Sequence, residues 1–162
     1  MAVPDIYLKI DGIDGEAQDS SHQSEIEVLS FSLGVSNLGS GDVGTGSGSS
    51  RASLSDLSVM KRVDKASPGL FVNCCTGKHF KTATLSVRKA GGEAPVEYLK
   101  YDLSEVYISS VQESGSDGGG IATESVSLNF SKIEVTYTPQ SAQGTPDAAI
   151  PKWYNQKTHE NG

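Results

Sequence analysis

Apolar residues recur at every second position over most of the chain, which is the period of strands that bury one face. The first segment of this kind places Ile6, Leu8 and Ile10 on one face. Similar alternation runs through residues 83–87, up to a Gly-Gly turn, and through a long segment, residues 96–111. The pattern predicts a mainly β protein with antiparallel strands.

The alternation changes phase at three places, and a slip of one residue indicates a β-bulge. In the second segment, residues 25–35, the apolar positions change face near Val28. The same change occurs within residues 52–63 and within residues 126–137. Long strands with bulges favour a curved, closed sheet over a flat one. We therefore predict an antiparallel β-barrel.

One segment departs from this pattern and predicts a single short α-helix. Ser67 is a candidate N-cap, Pro68 suits the first helical position, and Gly77 is placed to end the helix. We expect this helix to cover an open end of the sheet. Its predicted apolar face comprises Leu70, Phe71 and Cys74.

The chain has 162 residues, 36% of them hydrophobic, which is the size of one domain with a single core. We assign the barrel domain to residues 1–139. Residues 140–162 contain Trp153 and Tyr154 in a polar, proline-containing setting, and we interpret them as a C-terminal tail that is disordered on its own. Two Gly- and Ser-rich loops, residues 38–50 and 115–120, are too polar to bury.

The balance of charge indicates no nucleic-acid partner. Lys and Arg total 13 against 20 Asp and Glu, a formal net charge of −7, whereas nucleic-acid binders concentrate positive charge. No apolar stretch approaches the length of about 18 residues that a membrane-spanning helix needs, so we expect no membrane insertion. The first ten residues lack the features of a signal peptide. We expect synthesis in the cytoplasm and export, if any, by dedicated machinery.

Motifs for cofactors and metals are weak, and we expect neither. The glycine-rich loop lacks the Gly-Lys-Ser or Gly-Lys-Thr ending of a phosphate loop. A run of acidic residues departs from the spacing of a calcium loop, and the histidines are too scattered for a metal site. The acidic run is Asp11, Asp14, Glu16 and Asp19, and the histidines are His22, His79 and His159.

Nucleophilic catalysis has equally little support, and we expect no enzyme. No Gly-x-Ser-x-Gly motif is present. Cys74 and Cys75 are adjacent, which disfavours a disulfide between them. Lys78 and His79 lie close enough in sequence to lower a thiol pKa, so a cysteine-dependent enzyme is retained as a minor alternative to structural thiols.

The second strand offers the most informative surface. Ser30 and Ser32 face opposite to its apolar residues Leu29, Phe31 and Leu33. Small hydroxyl side chains suit a surface that binds water but does not hold other molecules tightly, although an ordinary solvent-exposed face explains the pattern equally well. Ser30 and Ser32 carry these hydroxyls.

Several fragments occur together in one order across residues 3–138. They are Ile-Tyr-Leu-Lys-Ile at 6–10, Gly-Glu at 15–16 with Asp19 and His22, Ile-Glu-Val-Leu at 26–29, Asp-Lys-Ala-Ser-Pro at 64–68, Gly-Lys-His-Phe at 77–80, Arg-Lys-Ala-Gly-Gly at 88–92 and Glu-Tyr-Leu at 97–99. In this order and spacing the chain resembles the hemolysin-coregulated protein (Hcp) family of type VI secretion.

The resemblance implies a β-barrel with one helix, related to phage tail-tube folds. Such subunits assemble as homohexameric rings that stack into the inner tube of a contractile, phage-tail-like machine. The implied partners are other copies of the chain, the sheath and spike proteins of the apparatus, and small effector proteins that ride in the channel. The resemblance also implies secretion without a signal peptide. By its position in the second strand, Ser32 is our first candidate for a channel-facing residue that contacts effectors, and Ser30 is the second.

Two other binding functions stay open at this point. The first is a phage-like tail-tube protein, which would assemble into the same kind of tube. A small carbohydrate-binding β-domain would use Trp153 and Tyr154 as stacking surfaces, although they lie in the tail and not on a shaped sheet face.

Overall fold

The computed structural model describes residues 5–37, 52–89 and 94–162, which form eleven strands and one α-helix. The loop predicted at residues 38–50 and the Gly91-Gly92 turn lie outside the described residues. The elements are β1 (Asp5–Ile10), β2 (Ile26–Glu27), β3 (Ser30–Ser32), β4 (Val35–Asn37), β5 (Ala52–Leu54), β6 (Leu57–Arg62), α1 (Ser67–Thr76), β7 (His79–Lys89), β8 (Val96–Ser114), β9 (Thr123–Asn129), β10 (Lys132–Tyr137) and β11 (Ile150–Asn155).

Nine of the strands form one antiparallel sheet, in the order β2-β1-β7-β8-β9-β6-β3. β10 pairs with β8, and β11 pairs with β10, while β4 and β5 form a separate hairpin. The prediction of a mainly β fold with one helix is therefore confirmed.

The path of this sheet is open, and its two ends are consecutive in the chain. The Val28 N–H donates to the Ile6 carbonyl at 3.0 Å, and the Leu29 N–H donates to the Met60 carbonyl at 2.7 Å. The chain thus passes from β1 to β6 at the phase change predicted near Val28. Within the described residues no strand pairing joins β2 to β3, so the pairing does not give the closed barrel that the sequence predicted.

The sheet forks along β8, which pairs with β7 on one side. On its other side, Leu99 to Ser104 pair with β10, whereas Tyr107 to Ser114 pair with β9. Glu105 lies at the change of partner with φ 52°, a conformation that residues other than glycine rarely adopt. The fork lets one long strand belong to two arms of the sheet.

The core lies against one face of this sheet. Its fully buried residues occupy alternate strand positions, as the period of two predicts, and Leu70 of α1 is buried with them. Examples are Leu8, Leu85, Leu103, Val126 and Leu128.

The helix forms where it was predicted, with two corrections. Ala66 and not Ser67 is the N-cap, and Gly77 ends the helix with φ 67°. Phe71 is 50% exposed, because in a helix it projects about 100° away from the buried Leu70.

The segment predicted to be a disordered tail contains β11, which pairs with β10 from Ile150↔Tyr137 to Asn155↔Lys132. No sequence pattern indicated this strand, since Pro151 lies within it and its first three residues are exposed. The division between residues 1–139 and 140–162 as structural units stays a prediction.

A buried arginine holds the loop of residues 11–25 against β1. Arg88 donates to both carboxylate oxygens of Asp19, at 3.2 and 2.8 Å, and to Asp5 at 2.9 Å. The ring of His22 stacks on Tyr7, with 4.4 Å between centroids. The hydrogen bonds from Arg88 hold the pKa of the Asp19 carboxyl below its usual value, while burial raises the pKa of Tyr7.

We expect the stability contributed by the Arg88–Asp19 pair to disappear in acid. Because the folded pKa of Asp19 is lowered, the contribution is present above the ordinary aspartate pKa of about 3.9 and is lost as pH falls through the folded value. Urea unfolding of wild type and Asp19→Asn should differ at about pH 7 and converge at about pH 2. The exposed Asp14→Asn is the control, and a difference unchanged in acid would contradict the prediction.

Candidate functional site

Four serines form a row across four strands on the sheet face opposite the core. Ser32 of β3 is paired with Ser58 of β6, Ser58 with Ser127 of β9, and Ser127 with Ser110 of β8. Directly paired residues place their side chains on the same face, and the Oγ atoms of Ser58 and Ser127 are 3.0 Å apart. The strand register therefore gathers hydroxyls from four separate segments.

The rows beside it extend this surface, which we call the hydroxyl face. Its members are Ser30, Ser32, Ser58, Met60, Arg62, Ser110, Gln112, Ser114, Thr123, Ser125 and Ser127. Arg62 is its charged member and Met60 its large apolar one. By contrast, a row on the other half of the sheet consists of Lys9, Thr84, Asp102 and Glu134, and all of these except Thr84 are charged. The two halves thus differ in electrostatic character.

The hydroxyl face is bordered by strand edges that have no strand partner within the described part of the chain. On one side, β3 pairs only with β6 and ends the sheet path. On the other side, β7 pairs with β8 as far as Tyr107. Residues 108–114 of β8 therefore pair with β9 on one side and with no described strand on the other. Such edges expose backbone donors and acceptors that can pair with another chain.

Beneath the hydroxyl face lies a buried ion pair between Lys61 of β6 and Glu124 of β9, whose side chains are both fully buried. Lys61 Nζ also donates to Asp64 at 2.8 Å. The Ser67 hydroxyl donates to Glu124 Oε1 at 2.7 Å and accepts the Asp64 N–H at 2.9 Å. This cluster ties the start of α1 to the strands that carry the hydroxyl face.

Both serines singled out from the sequence are exposed, and they lie in neighbouring rows of the hydroxyl face. Leu29, predicted to be buried opposite them, is 42% exposed, because the chain changes strand partner there. The sequence reasoning missed the serines at 58, 110, 114, 125 and 127. For those at 58, 125 and 127, the signal was alternation with buried Leu57, Val59, Val126 and Leu128.

The cysteines, histidines and acidic residues that we considered for catalysis or metal binding do not form a cluster among the described residues. Cys74 is partly buried and Cys75 is exposed on α1. In the ranges 5–37, 52–89 and 94–162, no three or more His, Cys, Asp or Glu side chains converge where a metal ion could bind. Asp19 of the acidic run binds Arg88 instead. No helix in those ranges is long and apolar enough to cross a membrane.

Comparison with known proteins points to one family. The protein-family model described as "Type VI secretion system effector, Hcp" matches residues 7–137. The chain is 45% identical to protein hcp1 of Pseudomonas aeruginosa PAO1 over 153 residues, which cover 94% of each chain.

Solved structures agree with this match. One described as a type six secretion system protein superimposes with a TM-score of 0.89 and 31% identity, over 98% of this chain and 99% of that one. Hcp1 from Salmonella typhimurium gives a TM-score of 0.81 and 38% identity, over 100% of both chains. The chain belongs to the Hcp family of type VI secretion proteins.

Proposed function

We propose that this chain is the subunit of the inner tube of a type VI secretion apparatus. Six copies form a ring, rings stack into the tube, and small effector proteins travel in the channel. The observation that carries the proposal is the hydroxyl face, a nearly uncharged surface bordered by two strand edges without partners. The sequence-based resemblance and the family support the same assignment.

The chemistry of the hydroxyl face suits a channel wall. Serine side chains form hydrogen bonds with water, so the surface stays wetted. With Arg62 as its charged member, it holds a passing protein of either charge weakly. The charged half of the sheet, by contrast, suits a surface that contacts water or the sheath.

Ring closure needs two different surfaces on each subunit that match one another. The edge of β3 on one copy and the β8 edge on the next meet this need, because they border the hydroxyl face on opposite sides. Their contact would join the six faces into one wall. We also propose that each subunit sheet curls into a barrel in which residues 26–32 serve both β1 and β6.

Stacking and delivery involve the remaining partners. We propose that the rings stack reversibly. The sheath surrounds the tube and the spike tips it. The protein is made in the cytoplasm and leaves the cell through the apparatus.

The mass of the particle in solution tests ring formation first. Light scattering after size exclusion should give six times the subunit mass of 17.0 kDa, with annular particles in negative stain. A 17.0 kDa species at high protein concentration would overturn the ring.

Ser32 is our first choice for effector contact and Ser30 the second. We expect Ser32→Gln to reduce the amount of co-purified effector about tenfold, which corresponds to about 1.4 kcal/mol, because a larger side chain disturbs the serine row. Lys9→Gln, on the charged half, is the matched control, and light scattering verifies that both rings stay assembled. Undiminished effector on the Ser32→Gln ring would reject the assignment.

A further inference from the structure

β11 is an outer strand, and most of its backbone groups that face away from β10 already have hydrogen-bond partners. The Trp153 N–H donates to the Gly162 carbonyl at 2.9 Å, and the Gly162 N–H donates back to Trp153 at 3.1 Å. The Asn155 N–H donates to the Glu160 carbonyl at 2.9 Å. Alternate residues of a strand face the same neighbour, so residue 151 also faces outward. It is a proline and has no N–H to offer.

We propose that Pro151 and residues 156–162 act as an edge guard, which prevents β11 from pairing with a second copy of this chain. An outer strand with free donors is a template for uncontrolled strand addition. Here each outward N–H from residue 151 to residue 155 is either missing or already bound. Self-association is thereby directed to the other edges, a consequence that rests on the proposed function.

The edge guard is anchored at the fork of the sheet. The Gln156 N–H donates to the Ser131 carbonyl and its side-chain amide donates to the Phe130 carbonyl, both at 2.7 Å. Lys157 Nζ lies 2.5 Å from a carboxylate oxygen of Glu105. This hydrogen bond lowers the pKa of Glu105.

The far end of the edge guard packs against an aromatic ring. A Cβ at position 162 would lie 2.2 Å from Nε1 of Trp153, so only glycine fits there. Lys132 Nζ lies 4.5 Å from the centroid of the same ring. The guard is therefore held at both of its ends.

The strand edges beside the hydroxyl face lack backbone hydrogen bonds of this kind in the described residues, although α1 packs against β8. Neither Ser30–Ser32 nor residues 108–114 contains a proline. No backbone hydrogen bond of the described residues covers their outer side as residues 160–162 cover β11. The contrast between guarded and unguarded edges is the basis of the inference.

Two variants test the edge guard in the full-length protein. Pro151→Thr restores an outward N–H without removing a hydrogen bond, and Gly162→Val forces the guard away from Trp153. Pro95→Thr, at an exposed position outside the strands, is the matched control. Sedimentation velocity and thioflavin T fluorescence measure species larger than the ring, and hydrogen exchange measures protection of the Trp153 and Asn155 amides.

We expect the fraction of oversized, thioflavin-positive species to rise about fivefold in Pro151→Thr, the effect of one added hydrogen bond. Gly162→Val should raise it further and expose both amides to exchange. The control should match wild type. Variants that stay as free of oversized species as the control would overturn the edge guard. A wild-type protein that forms no ring would instead reject the proposed function, while the comparison of oversized species would still decide on the guard.

Discussion

Replacing Lys61 by methionine is expected to lower the free energy of unfolding by about 3–5 kcal/mol. The change removes the cation of a fully buried ion pair and leaves Glu124 without its charged partner. One oxygen of Glu124 already has no hydrogen-bond partner among the described residues. Burying a carboxylate without a cation is costly, because its solvation by water is lost and the hydrogen bond from the Ser67 hydroxyl replaces only part of it.

The double variant Lys61→Met, Glu124→Leu separates this effect from a general loss of packing. Replacing both members of a buried pair by apolar residues is often close to neutral, so the double variant should be more stable than Lys61→Met alone. Ser67 keeps one partner in it, the Asp64 N–H. Urea unfolding measures all variants, and the two single changes should not add. A double variant that loses the sum of the single losses would refute this account.

The position of Lys61 shows a limit of sequence reasoning. It occupies the apolar phase of its strand, between the buried Val59 and the partly buried Val63 in the alternation, where a hydrophobic residue is expected. Its partner lies 63 residues further on, so no local pattern connects the two. Only the register of β6 with β9 brings them face to face.

Local features were predictable because their causes are local. The period of two located β1 and β7, and the slip near Val28 marked the change of strand partner. Pro68 and Gly77 bracketed α1 correctly because proline and glycine act on their own backbone. Ser30 and Ser32 were identified by alternation within one strand.

Features that depend on distant pairing were not predictable. The serine row needs the register of four strands, and the alternation within a strand does not specify its neighbour. Phase changes indicated curvature but did not distinguish an open path from a closed barrel. β11 was not predicted because its order comes from pairing with β10 and from the edge guard, not from an amphipathic pattern.

A second large effect is expected at Gly15, where two parts of the loop of residues 11–25 meet backbone to backbone. The Gly15 N–H donates to the Ser24 carbonyl at 2.8 Å. A Cβ at position 15 would lie 2.4 Å from the Glu25 carbonyl oxygen and 2.7 Å from Ile26 Cα. Since these are backbone atoms, they cannot swing aside as the end of a flexible side chain would.

Gly15→Ala should therefore lower the free energy of unfolding by about 1–3 kcal/mol, the usual range for overpacking. Part of the loss would come from the Arg88–Asp19 contact, because the loop that carries Asp19 must shift. Gly69→Ala is the matched control. A Cβ at position 69 meets nothing within 4 Å, and alanine in a helix should raise stability by about 0.5–1 kcal/mol.

The two alanine substitutions are thus expected to have opposite signs in the same urea titration, although each adds one methyl group. Hydrogen exchange should be faster in Gly15→Ala at the amides of residues 15 and 17. In the wild-type protein these amides donate to the carbonyls of Ser24 and Glu25. If Gly15→Ala proves as stable as wild type, the loop relaxes at little cost. Its close backbone contact would then not be what fixes β2 beside β1.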